Sequence, residues 1–236
     1  MKTGGQGVSH TNLNSKRSVL PVQDSPSLPS EISNRPPFAE LHPSHGQTNL
    51  ASISRRHPMP VLWLTGLPAA GKSTIAALTA QRLTAEGIPT EVLDGDEVRK
   101  AISPTLGFSR EERALQALRL AWIAEMLSRH GVVAIVAAVT PYRCDREAAA
   151  TLLGSRFTEI WVHADASVCR SRDPKGLWRR CELGEISGVT GFDAPYEEPQ
   201  EASIKLETEI RSASLCASEL VRFVVGIGAT ALLGGL

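Results

Sequence analysis

Val61-Leu62-Trp63-Leu64-Thr65-Gly66-Leu67-Pro68-Ala69-Ala70-Gly71-Lys72-Ser73-Thr74 is the stretch on which the reading of this 236-residue chain turns. Its first five residues form a short, unbroken apolar run, the pattern of a parallel strand covered on both faces. The next eight match G-x-x-x-x-G-K-S in full, and Ile75, Leu78, Thr79 and Leu83 then recur at helical spacing until Gly87. Strand, glycine loop and helix in that order make a phosphate cradle. Two glycines let the backbone curl its N–H groups toward oxygen, and the helix N-terminus adds a favourable dipole. Lys72 reaches the β- and γ-phosphates, and the Ser73 hydroxyl ligates Mg²⁺. Gly66 through Thr74 is therefore the expected ATP site, with Mg²⁺ as the cofactor.

Further along, Thr90 to Leu93 reads as a second strand ending in Asp94-Gly95-Asp96-x-x-Arg99. Two carboxylates one residue apart at a strand end can face one pocket when the chain turns at Gly95. One would hold Mg²⁺ and the other would receive a proton from an acceptor hydroxyl. Arg99 can fork onto an anionic acceptor. Taken alone the same residues also suit a solvated helix cap, with Asp96 capping and Arg99 exposed. Ser109 and Glu112 form a capping box that opens a long helix to about His130, closed by Gly131. Val132–Val139, Phe157–His163 and Ile204–Leu206 read as three more strands, and a final helix is expected from about Glu209. The alternation predicts an α/β, three-layer fold: a parallel sheet of about five strands, helices on both faces, and catalytic groups at the strand carboxyl ends. Between about Arg172 and Pro199 the periodicity fails among Gly176, Gly184, Gly188 and Gly191, which suits a mobile lid.

Residues 1–57, rich in Ser, Pro, Asn, Gln and Gly, show neither helical nor strand period and read as a disordered extension rather than a transit peptide. Residues 58–225 would be the folded domain, and 226–236 a flexible apolar tail. The apolar run from Phe223 is glycine-interrupted and too short to span a membrane. No apolar h-region marks the first thirty residues. Twenty-five basic residues against twenty-five acidic ones give no excess that would favour nucleic acid or an anionic membrane. Four widely spaced cysteines match no zinc framework and suit a reducing, cytoplasmic setting.

From about Val61 to Thr208 the chain resembles the adenylyl sulfate kinases. Beyond the P-loop, the resemblance rests on Leu93-Asp94-Gly95-Asp96-Glu97-Val98-Arg99, Leu106-Gly107-Phe108-Ser109 with Arg113, and Pro141-Tyr142-Arg143. It continues through Arg172-Asp173-Pro174-Lys175-Gly176-Leu177-Trp178, Gly184-Glu185-Ile186, Thr190-Gly191 and Pro195-Tyr196-Glu197. It implies a P-loop kinase fold, ATP and adenylyl sulfate as ligands, phosphorylation of the 3′-hydroxyl, and a homodimer. By resemblance Lys72, Asp94 and Asp96 are catalytic, Ser73 and Asp94 hold the metal, and Asp96 engages the acceptor hydroxyl. Arg99 and Arg113 would meet the phosphosulfate, Phe108 would stack on the acceptor adenine, and Lys175 would approach the bound anions. Gln116, Thr140 and Val189 also fall on acceptor-binding positions. They replace the family's usual asparagine, serine and phenylalanine, leaving the ATP half intact and altering the acceptor half.

Overall fold

The computed structural model describes residues 58–233, with side chains as far as residue 227; the extension expected over residues 1–57 lies outside the described residues. Strand β1 (Val61–Thr65) is wholly buried and pairs in parallel with both β3 (Val133–Ala137) and β4 (Phe157–His163). With β2 (Thr90–Asp94) and β5 (Ile204–Glu207) these strands make an all-parallel sheet of order β2-β3-β1-β4-β5. The order reverses beside β1, so the crevice at its carboxyl end is the topological switch point where ligands of open α/β sheets bind.

Alternate β1 side chains feed two separate cores. Leu62 and Leu64 join Ile75 and Leu83 of α1 (Lys72–Ala85) and Leu220 of α7 (Ala213–Leu233). Val61 and Trp63 join Leu120 and Ala124 of α3 (Arg110–Arg129) and Leu153 of α4 (Arg143–Leu153). This two-sided burial explains why the strand reads as a continuous apolar run. Each fully covered Leu or Ile contributes roughly 1.5–3 kcal/mol, so the sheet that carries the glycine loop is a rigid mount.

Helix α3 starts on the expected capping box, with the Ser109 hydroxyl accepting from Glu112 N–H and the Glu112 carboxylate accepting from Ser109 N–H. Other boundaries move. Helix α7 begins at Ala213 rather than near Glu209, because Ser212 caps it: its carbonyl accepts from Cys216 N–H and its hydroxyl from Leu215 N–H. The helix then runs to Leu233, through the glycines taken to open a flexible tail at residue 226. Helix α2 (Gly95–Ile102) follows β2 without an intervening loop, and α4 and α5 (Ala166–Arg172) carry too few apolar repeats to stand out in the sequence. The stretch read as a lid is not irregular throughout. It contains α6 (Leu177–Glu182), with Trp178 and Cys181 buried. Among the described residues no helix is long and apolar enough to cross a membrane.

Candidate active site

The glycine loop joins β1 to α1 through backbone that only certain residues tolerate. Gly66 sits at φ +150°, and a Cβ there would lie 2.2 Å from the Val162 carbonyl oxygen on β4. Gly71 is left-handed at φ 106° and serves as the N-cap of α1. The loop curls around Lys72, whose ammonium donates to the Gly66 and Leu67 carbonyls, each at 2.8 Å. Burial pulls the Lys72 pKa down from 10.5 to about 8, against the opposing pull of the Cys169 thiol, Asp96 and Asp94. Its charge is thus held at a cost that a polyanion beside it would remove.

The Ser73 hydroxyl donates to Asp94 Oδ2 at 2.6 Å. The other carboxylate oxygen of Asp94 accepts from Asp96 N–H at 2.9 Å, making Asp94, not Asp96, the cap of α2. Capping by Asp94 leaves the Asp96 side chain unspent, and it receives Lys175 from the lid at 2.6 Å. That hydrogen bond raises the Lys175 pKa. So the structure brings Lys72, Ser73, Asp94, Asp96 and Lys175 into one neighbourhood at the end of β2 and the start of α1.

A second group lies one helix away. Phe108, 62% exposed, carries two guanidinium groups over its ring, Arg99 at 4.7 Å and Arg113 at 5.5 Å from the centroid. Arg99 also donates to the Gly107 carbonyl at 2.7 Å, and Arg113 to the carbonyls of Phe108 at 2.8 Å and of Gly188 in the lid at 2.7 Å. Burial, then the facing charge of Arg113, lowers the Arg99 pKa. Burial lowers that of Arg113. Two cations beside an exposed aromatic face would welcome an anion attached to a flat ring. Nearby on the inner side of α3, Gln116 is 4% exposed and both its amide atoms are buried without a partner. Such atoms cost free energy until something bonds them.

Thr140 and Val189 sit differently. Thr140 is buried in a left-handed conformation at φ 39°, its hydroxyl accepting from the Trp63 indole at 3.2 Å. The strain is held by Arg146, a buried side chain that the sequence reading passed over. Its guanidinium donates to the Thr140 carbonyl at 2.9 Å, the Glu197 carbonyl at 2.8 Å and the Glu159 carboxylate at 2.6 Å. Val189 is 7% exposed, inside a lid turn that Asp193 ties by accepting from the Gly188 and Val189 N–H groups. As placed, it is packed within the lid rather than open toward a ligand.

Two more residues were given no role from the sequence, both distant from the glycine loop in the chain. Thr208, just past β5, donates its hydroxyl to the Ala70 carbonyl at 2.9 Å and receives Arg172 on both its hydroxyl and its carbonyl. Tyr196 meets the Thr65 hydroxyl at 3.1 Å, and burial pushes its pKa up to about 12. Tyr196 stood within the quoted Pro195-Tyr196-Glu197 segment, and Thr208 could have been flagged only by its position at the end of a strand.

A sequence model of the family described as Adenylylsulphate kinase matches residues 59–207. This chain belongs to that family. The adenylyl-sulfate kinase of Synechococcus sp. (strain JA-3-3Ab) is 45% identical over 155 residues, 66% of this chain and 88% of the relative. A probable adenylyl-sulfate kinase of Pyrococcus abyssi is 44% identical over 147 residues, 62% of this chain and 84% of its own length. Among solved structures, the Mycobacterium tuberculosis APS kinase in complex with AMPPNP and APS superposes with a TM-score of 0.68 at 35% identity, covering 70% of this chain and 96% of that one. The matched span takes in every site residue described in this subsection except Thr208.

Proposed function

We propose that this protein transfers the γ-phosphate of ATP to the 3′-hydroxyl of adenylyl sulfate, releasing ADP and 3′-phosphoadenylyl sulfate, the activation of sulfate for assimilation. The observation that carries it is the presence of a complete P-loop together with the Arg99–Phe108–Arg113 cluster, whose Arg99 lies within electrostatic reach of Asp96, on a family match covering both. The loop N–H groups and Lys72 would hold the ATP phosphates, Lys72 exchanging its two carbonyl partners for phosphate oxygens. Phe108 would take the acceptor adenine, Arg99 and Arg113 the phosphosulfate, and the Gln116 amide a polar edge of the nucleotide. Thr140 and Val189 would border the acceptor through the backbone and lid they shape.

Ser73 Oγ and Asp94 Oδ2, 2.6 Å apart at the start of α1, are hard oxygen donors of the kind Mg²⁺ takes. Among the described residues no group of three or more His, Cys, Asp or Glu side chains could hold a metal. That fits an ion which takes its other oxygens from the nucleotide and water. Bound there, Mg²⁺ would offset charge on the β- and γ-phosphates.

Asp96 is the group placed to accept the 3′-hydroxyl proton as the new O–P bond forms and the bond between the γ-phosphorus and the bridging oxygen of ADP breaks. Lys175 would trade Asp96 for the transferring phosphoryl group, adding charge neutralisation where it develops. Catalysis is then positioning and electrostatics, in a cytoplasmic setting. The test is an acceptor screen with purified protein, ATP and Mg²⁺, comparing adenylyl sulfate with other nucleotides and simple alcohols. ADP formation dependent on adenylyl sulfate is expected. Preference for another acceptor would place the altered positions Gln116 and Val189 in a kinase of different specificity, and ATP binding without any turnover would mark a non-catalytic subunit.

A further inference from the structure

Helix α4 opens without a cap of its own. Tyr142 stands at its N-cap position and makes no side-chain bond to the first turn. Asp145, within that turn, is taken by Arg110, which donates to both its carboxylate oxygens at 2.9 Å. An uncapped helix start leaves orphan N–H groups. Here one of them is met from 54 residues away: Glu197 Oε2, at the close of the lid, accepts from Arg143 N–H at 2.7 Å. The backbone of Glu197 serves the same stretch of chain. Its N–H donates to the Pro141 carbonyl at 2.8 Å, and its carbonyl accepts from Arg146, the side chain that also holds the Thr140 carbonyl.

The preceding residue grips the other end of that stretch. Thr65 spends its hydroxyl proton on the Val139 carbonyl at 2.7 Å, so the Tyr196 hydroxyl, 3.1 Å from Thr65 Oγ1, is the donor between them. Residues 139–143, the link from β3 into α4, are thus tied at both ends to the close of the lid. They carry Thr140, proposed above to border the acceptor, and Tyr142, which lies within electrostatic reach of Arg113. The two backbone bonds of Glu197 survive replacement of its side chain, so the carboxylate is the tie that substitution can remove. We infer that Glu197 is a positioning residue for the acceptor. By capping α4 from the lid it holds residues 139–142 in the register that adenylyl sulfate needs, without touching either substrate. The inference rests on the proposed function.

The test is the steady-state rate of ADP formation, with adenylyl sulfate and ATP varied in turn. Glu197 is exposed, so its substitutions leave no buried gap, and melting temperatures check that each variant is folded. Loss of a helix cap shifts a local equilibrium by about three- to thirtyfold, and acceptor affinity falls with the population in register. Glu197→Ala should therefore raise KM for adenylyl sulfate by about that factor and leave KM for ATP within about twofold. Glu197→Gln keeps an oxygen that can accept from Arg143 N–H and should restore most of the loss. Glu197→Asp keeps the charge but falls a methylene short; it should resemble the alanine variant, and it replaces that variant if alanine does not fold. A merely structural role would move the melting temperature and both KM values together. That outcome overturns the inference, as does an unchanged KM for adenylyl sulfate in Glu197→Ala, a glutamine variant as impaired as alanine, or an aspartate variant equal to wild type. In each of these cases the proposed function stands. A wild-type protein that forms no ADP with adenylyl sulfate refutes that function and this inference with it.

Discussion

With Lys72 against the ATP phosphates as proposed, nucleotide binding should be a proton-linked event. The Lys72 pKa in the free protein is about 8, lowered from 10.5 chiefly by burial, with two backbone carbonyls as the hydrogen-bond partners of the ammonium. A triphosphate placed against the ammonium favours the charged form and should return the pKa at least to the ordinary value. At pH 9 the free protein then carries this proton about one-tenth of the time and the complex nearly always. Binding should take up about 0.9 proton at pH 9 and about 0.1 at pH 7. The direction is fixed by the pKa being lower in the free state: affinity should fall about tenfold per pH unit above 8. Titration calorimetry with a non-hydrolysable ATP analogue, in buffers of different ionisation enthalpy, reads the number directly as the slope of apparent enthalpy. Lys72→Met should bind more weakly and lose the slope at pH 9. A wild-type slope near zero at pH 9, or an undiminished slope in Lys72→Met, would show that the ammonium is not the group meeting phosphate.

Asp96 and Lys175 are each more than half exposed, so their ion pair contributes at most about 1 kcal/mol to stability. Asp96→Asn should therefore leave the melting temperature nearly unchanged while lowering kcat by about 10²–10⁴-fold; steady-state rates within tenfold of wild type would remove Asp96 from the proton path. Arg146→Ala leaves the part-buried Glu159 and the buried Thr140 carbonyl without their partner and frees the strained Thr140. Urea unfolding should register a loss of about 3–5 kcal/mol, and a loss below about 1 kcal/mol would refute the clamp.

What the sequence disclosed divides by range. The β1 run, the glycine loop and the α3 capping box are encoded within a few residues of themselves, and each stands where its pattern placed it. Asp94 and Asp96 were legible as a pair, yet their division of labour was not. It depends on Asp94 capping α2 and meeting Ser73, a contact 21 residues away. Arg146 looked like one more surface charge on an unremarked helix, because its partners lie on three separate segments. Val189 shows the opposite limit. Its type and place in the lid suggested an adenine face, but whether a lid side chain turns inward or outward is set by turns such as the one Asp193 ties. The α7 start was misplaced for a local reason, the Ser212 cap.

The lid is fastened at both ends. Arg172 holds its beginning to Thr208, and the Glu197 carbonyl holds its close to Arg146, while Glu197 N–H donates to the Pro141 carbonyl at 2.8 Å. It therefore resembles a drawbridge with both abutments set beside the sheet, and only its span is free to rise. The span rests on few supports: Lys175 on Asp96, Arg113 on Gly188 and Thr190, and the Trp178 indole on the Pro68 carbonyl. Each support ends on a residue assigned to one of the two substrates. If those assignments hold, arrival of either substrate would loosen part of the span, and full release of the deck would require both. A chain that lengthened its lid in evolution could do so in mid-span at little cost, but not at Arg172 or Glu197, where one added residue would shift an abutment off its footing.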